Sequence, residues 1–275
     1  MVKDSIEEKC REIRQQIFIQ AYHANGAHMG TAFSIADILG TLYFGNILKY
    51  KADNPEWEER DKVILSKGHA GVALYATLAL AGYFDKEYLK TFCQPGSKLG
   101  GHPKIYDIPG IEASTGALGH GLSFAIGIAY ANKVDNQESH VYVILGDGEC
   151  QEGSIWEGAL SAPTLELDNL TVIIDHNKLQ AMDSLENIVH MKPFASKWEA
   201  FGWNVVEIDG HNYEEIGKAL RLKERQKPTV IIANTVKGKG VSFMENEPIW
   251  HYRMPNKKEL PILMEELGLT MEDLK

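Results

Sequence analysis

The apolar run "HVYVIL" ends in a carboxylate held between two glycines, Gly146-Asp147-Gly148. In open α/β sheets, ligands bind beyond the carboxyl ends of the strands, and Asp147 sits at such an end. The helix expected after it offers free N–H groups and a positive dipole end to an anion. Flanking glycines let the backbone approach a ligand closely and take positive φ. A carboxylate beside an anion repels it unless a divalent cation stands between them. Magnesium takes a few protein oxygens together with substrate phosphates. Residues 149–176 separate Gly148 from Asn177, which ends the next apolar run, "NLTVIIDHN". The amide oxygen of Asn177 and the carbonyl of Leu179 would complete, with Asp147, a hard-oxygen set. The competing reading is a tight turn with Asp147 as its cap.

Ten histidines form the second group able to do chemistry. His28, His69, His102 and His120 each follow glycine or alanine in a loop, where a histidine is ordinarily a turn residue. Several converging on one cleft would instead offer hydrogen-bonding groups for a polar ligand, with protonation near working pH. Glu152 and Glu157, five apart after Asp147, read as acids complementing the first turns of a helix. Cys150 reads as an inert small residue in a packed turn rather than a nucleophile.

These residues need a scaffold. Ile6 to Ala24 predicts a first helix, and "TAFSIADILGTLYFGNIL" a second, capped by Thr31 or Ser34. "KVILSKGHAGVALYATLALAGYF" starts as a strand, turns at Lys67-Gly68-His69 and continues as a helix. "STGALGHGLSFAIGIAYANKV" is a glycine-rich entry into another helix. Then strands "HVYVILGDG", "NLTVIIDHN", "WNVVEIDGHN" and "PTVIIANTVKGKG" alternate with helices "SIWEGALSAPTLE" and "YEEIGKALRLKER". Strands apolar on both faces, alternating with helices, predict a doubly wound, mainly parallel sheet covered on both sides. One domain over residues 1–275 is the economical expectation.

Composition narrows the classes. A net charge of −10 with 24% charged residues argues against a nucleic-acid surface, which needs a basic stripe. Three cysteines without a CxxC pair argue against a zinc site or disulfide framework and favour a reducing cytoplasm. The longest apolar stretch, Gly71 to Phe84, is too short to span a bilayer, so no membrane partner is expected.

Seven blocks, "NGAHMG", "LSKGHA", "GGHP", "STGALGHGLS", "GDGECQEGSIWEGAL", "LDNLTVIIDHNKL" and "TVKGKG…IWH", stand in the order found in transketolases, and the chain resembles that thiamine diphosphate family from Ile6 to about Pro255. The resemblance implies thiamine diphosphate and Mg²⁺, or Ca²⁺ or Mn²⁺ in its place, with Asp147, Asn177 and Leu179 as metal ligands. It implies that His28 and His102 contact the donor ketose, and that His69 and His251 lie near the diphosphate and the reacting carbon. Lys237 matches a diphosphate-binding lysine and Lys67 a lysine beside the site. Gly116 and Leu118 match residues along the cofactor, and Gly148 a backbone contact to the diphosphate. Glu152 and Glu157 match a glutamate network joining two active sites across the interface between protomers.

Departures from the family pattern matter too. His120 stands where the family commonly has Gln and receives no role, and His176 stands where a second Asp often precedes the metal Asn. Gln180 and Ala181 fall where thiazole-side residues vary, which allows a different donor or acceptor sugar. His23, His140, His176, His190 and His211 read as structural or exposed.

In the family, a pyrimidine-binding domain supplies the glutamate that activates the cofactor and most substrate phosphate contacts. With the sequence closing at Lys275 after "NKKELPILMEELGLTMEDLK", read as a terminal helix, the expectation is the amino-terminal subunit of a split transketolase. A carboxyl-terminal subunit would carry the pyrimidine-binding domain, and the pair would form a heterotetramer acting on sugar phosphates. The rivals are a half that uses a modified ketose, a 2-oxo acid dehydrogenase subunit, and a non-catalytic regulatory subunit. A nicotinamide dehydrogenase is disfavoured, because no G-x-G-x-x-G opens a helix after a strand.

Overall fold

A computed structural model describes residues 2–275, with side chains from residue 6 onward. The elements are α1 (Val2–Ala24), α2 (Met29–Ser34), α3 (Ala36–Phe44), β1 (Lys62–Leu65), α4 (Gly71–Leu80), α5 (Gly121–Val134), β2 (Val141–Gly146), α6 (Gly153–Thr164) and β3 (Leu170–His176). They continue with α7 (Leu185–Ile188), α8 (Phe194–Ala200), β4 (Asn204–Asp209), α9 (Tyr213–Leu220), β5 (Thr229–Asn234) and α10 (Glu259–Leu267).

The five strands form one sheet in the order β1-β2-β3-β5-β4, and every neighbouring pair is parallel. Successive strand residues point to opposite faces, which splits the apolar runs between two cores. Tyr142, Ile144, Ile173 and Ile231 pack with Ile13, Ile38 and Ile216 of the helices on one face. Val143, Leu145, Val172, Ile174 and Ile232 pack with Leu122, Ile155 and Trp198 on the other. The doubly wound parallel sheet expected from the alternation is therefore present.

Register places the site. Gly146 lies level with Asp175, and His176 with Asn234. Residues just past each strand, among them Lys67, Asp147, Asn177 and Lys237, leave the sheet along one shared edge.

Three expectations need correction. The second helix is broken at Ile35 into α2 and α3, and Thr31 and Ser34 lie inside α2 rather than capping it. Each half is held by a different buried partner: the Ser34 hydroxyl lies 2.7 Å from Asp175, while Asp37 is paired with Arg14. β4 is an edge strand with Glu207 exposed, so it is not apolar on both faces. The closing stretch is helical only over Glu259–Leu267, because Gly268 takes a left-handed φ of 67° and ends the helix.

Candidate active site

The floor of the site is a buried charge network at the strand ends. Lys67, 1% exposed, forms an ion pair with the fully buried Asp175. A buried ammonium is tolerated only with such a partner. Asp175 also accepts the hydroxyl of Thr235 and, at 2.9 Å, the Nδ2 group of Asn177. Burial alone would raise the Asp175 carboxyl; the Lys67 charge and the hydrogen bonds from Lys67, Thr235 and Ser34 hold it below its ordinary range.

Asn177 is thereby oriented. Its Nδ2 faces an acceptor-only carboxylate, and its Oδ1 accepts the Leu179 N–H at 3.1 Å. Those two partners fix which amide atom points which way. Asp147 Oδ1 accepts the Gly148 N–H at 2.7 Å, and Oδ2 accepts the Lys178 N–H at 2.6 Å and lies 3.2 Å from His176 Nδ1. The turn-capping reading is thus realised, and it leaves a lone pair on Oδ1, which has a single partner, for a cation.

Beneath Asp147, Glu149 is 2% exposed and accepts N–H groups of Gly119 at 2.8 Å and Gly146 at 3.0 Å, together with the Ser66 hydroxyl. It ties the ends of β1 and β2 to the loop before α5. Burial pushes its carboxyl up despite those hydrogen bonds. Cys150 is buried, its thiol raised well above the ordinary range by desolvation.

Above this floor lies a cleft of about 390 Å³. Lys237 reaches into it: its Nζ donates to the Gln180 carbonyl at 2.8 Å and lies 3.4 Å from His251 Nδ1. Burial, then the nearby Lys67 charge, lowers the Lys237 ammonium to about 8, against the opposing pull of Asp147 and Asp175. The rim is a cluster of imidazoles. The His28 ring centre lies 5.5 Å from that of His69, 6.3 Å from His102 and 5.1 Å from His251. Burial, followed by neighbouring cations and imidazoles, lowers His28 and His251 to about 4 and His69 to about 2. Neutral rings at physiological pH can each donate one hydrogen bond and accept one.

The cleft wall brings together twelve residues to which the resemblance gives a role, Lys67, His69, His102, Gly116, Leu118, Asp147, Gly148, Glu152, Asn177, Leu179, Lys237 and His251, with Gly146, Gln180 and Ala181 beside them. His28 joins through its ring contacts. Glu157 does not join; it is exposed on α6. Gly146 and Gly148 lack the positive φ expected of them, since the first completes β2 and the second opens a 3-10 turn. Gly148 instead matters for closeness: a Cβ there would sit 3.1 Å from the Gln180 side chain. The left-handed glycine of the site is Gly116, at φ 131° against the His102 ring.

Sequence reasoning missed Asp175, Glu149, Tyr252 and the roles of two histidines. His176 touches Asp147, and His211 bridges Asp37 and the Val236 N–H. A charged residue inside "TVIIDHN" was the available signal for Asp175, because an acid in a buried strand requires partners. Tyr252, 61% exposed with its ring centre 4.8 Å from that of His28, carried no such signal.

The donor set can be tested against a metal diphosphate. No group of three His, Cys, Asp or Glu side chains arranged for a metal occurs among the described residues, so a cation here must rely on one carboxylate with amide and carbonyl oxygens. That composition suits magnesium. The side-chain Nε2 atoms of Gln151 and Gln180 are buried at the cleft wall with no hydrogen-bond partner. Buried donors in that state call for acceptors, which phosphate oxygens supply. The residues fit the group.

Comparison with known proteins decides the family. Residues 7–273 match the transketolase thiamine diphosphate binding domain. The chain belongs to that family. It is 38% identical over 277 residues to an apulose-4-phosphate transketolase subunit of Phocaeicola vulgatus, covering 100% of this chain and 98% of the relative. It is 45% identical over 226 residues to the 6-deoxy-6-sulfo-D-fructose transketolase subunit SqwG of a Clostridium species, covering 82% of each. Its structure superposes on Campylobacter jejuni transketolase with a TM-score of 0.90 at 32% identity, over 98% of this chain and 45% of that one. The chain thus spans less than half the length of that transketolase. Among the described residues no helix is long and apolar enough to cross a membrane.

Proposed function

We propose that this chain is the cofactor-holding half of a two-chain transketolase, moving a two-carbon ketol unit from a ketose phosphate to an aldose phosphate in the cytoplasm. The observation that carries this reading is the convergence of Lys237, His251, His69, Asp147, Gly148 and Asn177 on one cleft at the carboxyl edge of the sheet.

Thiamine diphosphate, when bound, supplies the carbanion chemistry that no side chain offers. The chain's residues hold and orient it. Asp147, Asn177 and the Leu179 carbonyl take Mg²⁺, or Ca²⁺ or Mn²⁺ in its place, while Lys237, His69, His251 and the Gly148 backbone hold the diphosphate. Gly116 and Leu118 line the cofactor. Lys67 acts from beneath, since its charge is already committed to Asp175. His28 and His102 face the sugar as donors and acceptors of hydrogen bonds.

Residues 1–275 form a single cofactor-binding domain in this reading, and a separate carboxyl-terminal subunit brings the pyrimidine-binding domain, the pair assembling as a heterotetramer. The naming of the relatives as subunits supports a partner. So does α5, which exposes Phe124, Tyr130 and Val134, with Leu160 exposed on the neighbouring α6. Glu152 and Glu157 are both exposed near this face, where a glutamate network to the partner would begin.

A second reading, a modified ketose as donor, is favoured by the substrates named for the relatives and by Gln180 and Ala181 in the cleft wall. Native mass spectrometry of what co-purifies with the chain, with thiamine diphosphate and Mg²⁺ present, tests the assembly. We expect a second polypeptide, cofactor mass per pair, and no ketol transfer by the isolated chain. A lone homodimer without cofactor, or turnover by the pure chain, overturns the split-enzyme reading.

A further inference from the structure

His211 reads in the sequence as structural or exposed, yet both of its ring nitrogens are engaged. Nε2 accepts the main-chain N–H of Val236 at 2.8 Å. That leaves the ring proton on Nδ1, which lies 2.7 Å from Asp37 Oδ2. Asp37 is gripped in turn by Arg14, whose Nη1 and Nη2 lie 2.8 and 2.7 Å from its two oxygens. Such a bidentate pair fixes orientation as well as charge. The chain Arg14–Asp37–His211 therefore joins α1, α3 and the β4–α9 loop, and ends on the residue before Lys237.

The far side of Lys237 is tied to the same network. Arg14 Nε donates to the Lys239 carbonyl at 2.9 Å. The Gly238 N–H donates to the Gly30 carbonyl at 2.8 Å, and the Lys237 carbonyl accepts the Asn246 N–H at 2.9 Å. The backbone around Lys237 is thus pinned by His211, Arg14 and Gly30 from outside its loop and by Asn246 within it, and one of those pins is a side chain of defined tautomer.

We propose that His211, held by Asp37 and Arg14, is a positioning residue for Lys237, fixing the backbone from which the lysine reaches the diphosphate end of the cleft. The inference rests on the cofactor-binding reading of Lys237. Its competitor is a purely structural role in which His211 serves only to neutralise the buried Asp37.

Two polar variants separate these roles. In His211→Gln the amide reaches the place of Nε2 and can still accept the Val236 N–H. In His211→Asn the shorter amide takes the place of Nδ1, keeps the bond to Asp37 and abandons Val236. The measurements are hydrogen exchange of the segment 235–240 and the dissociation constant for thiamine diphosphate at saturating Mg²⁺, both on the full chain with its partner.

For His211→Asn we expect exchange about tenfold faster and cofactor binding about tenfold weaker, the cost of one buried donor left unpaired. His211→Gln should stay within about twofold of the wild type in both. Rescue by Asn rather than Gln, or faster exchange with unchanged cofactor affinity, overturns the proposal. Failure of the wild type itself to bind thiamine diphosphate would instead sink the cofactor reading, and the exchange data would still decide whether His211 anchors the segment.

Discussion

At the floor of the cleft the charged side chains have fixed partners: Lys67 has Asp175, and Asp175 has in addition Thr235, Ser34 and Asn177. At the rim, His28 meets His69, His102 and His251 ring to ring at 5.1 to 6.3 Å. Removing either Lys67 or Asp175 would strand the buried charge of the other. Ring contacts impose weaker geometric demands. The two regions therefore differ in how tightly their side chains are held by partners.

The comparison is broken most severely by Asp175→Ala. It leaves the Lys67 ammonium buried and unpaired, and we expect roughly 3–5 kcal/mol loss of stability in denaturant titrations. Adding Lys67→Met should recover much of that loss; no recovery would show that the pair is not the source.

Asp147→Asn should leave the unfolding midpoint near the wild-type value while weakening Mg²⁺-dependent cofactor binding by at least about a hundredfold, beyond what a second-layer partner of a metal ordinarily costs. Unchanged affinity would refute the metal assignment.

The smallest effect belongs to the rim. His28 and His251 sit at about 4 in the folded chain against about 6.5 when unfolded. Between those values the unfolded chain binds more protons, so their contribution is fully present above pH 6.5 and declines as pH falls towards 4. His28→Asn should flatten the pH dependence of stability in that window, measured by chemical unfolding without cofactor. An unchanged slope would mean that the ring is not held neutral by its surroundings.

Much of the floor was legible because strand ends are legible. The run "VYVIL" announces a buried strand, and parallel packing sends whatever follows it, Asp147 here, to the ligand edge. Asn177 follows by the same logic one strand over. Asp175 was hidden because its partners, Lys67, Ser34 and Thr235, lie as far as 141 residues away in sequence. The break at Ile35 was hidden too, since the apolar spacing runs across it unchanged and the buried partners of Ser34 and Asp37 are remote in sequence. The histidine rim was legible as a set of residues rather than as a cluster: distance between rings is a property of loops. His211 closes the expected strand "WNVVEIDGHN" and reads as structural or exposed, and nothing local points to Asp37 or Val236.

The strand order has a consequence for a chain emerging from a ribosome. β4 is synthesised before β5, yet β5 is the neighbour it pairs with, and β5 also closes the open side of β3. Until residue 234 has appeared, two strand margins stand ready with unsatisfied backbone groups, the condition under which nascent chains stick to one another. β5 is therefore the wedge that completes the sheet, and the most exposed interval of synthesis is the one in which β4 has left the ribosome and β5 has not.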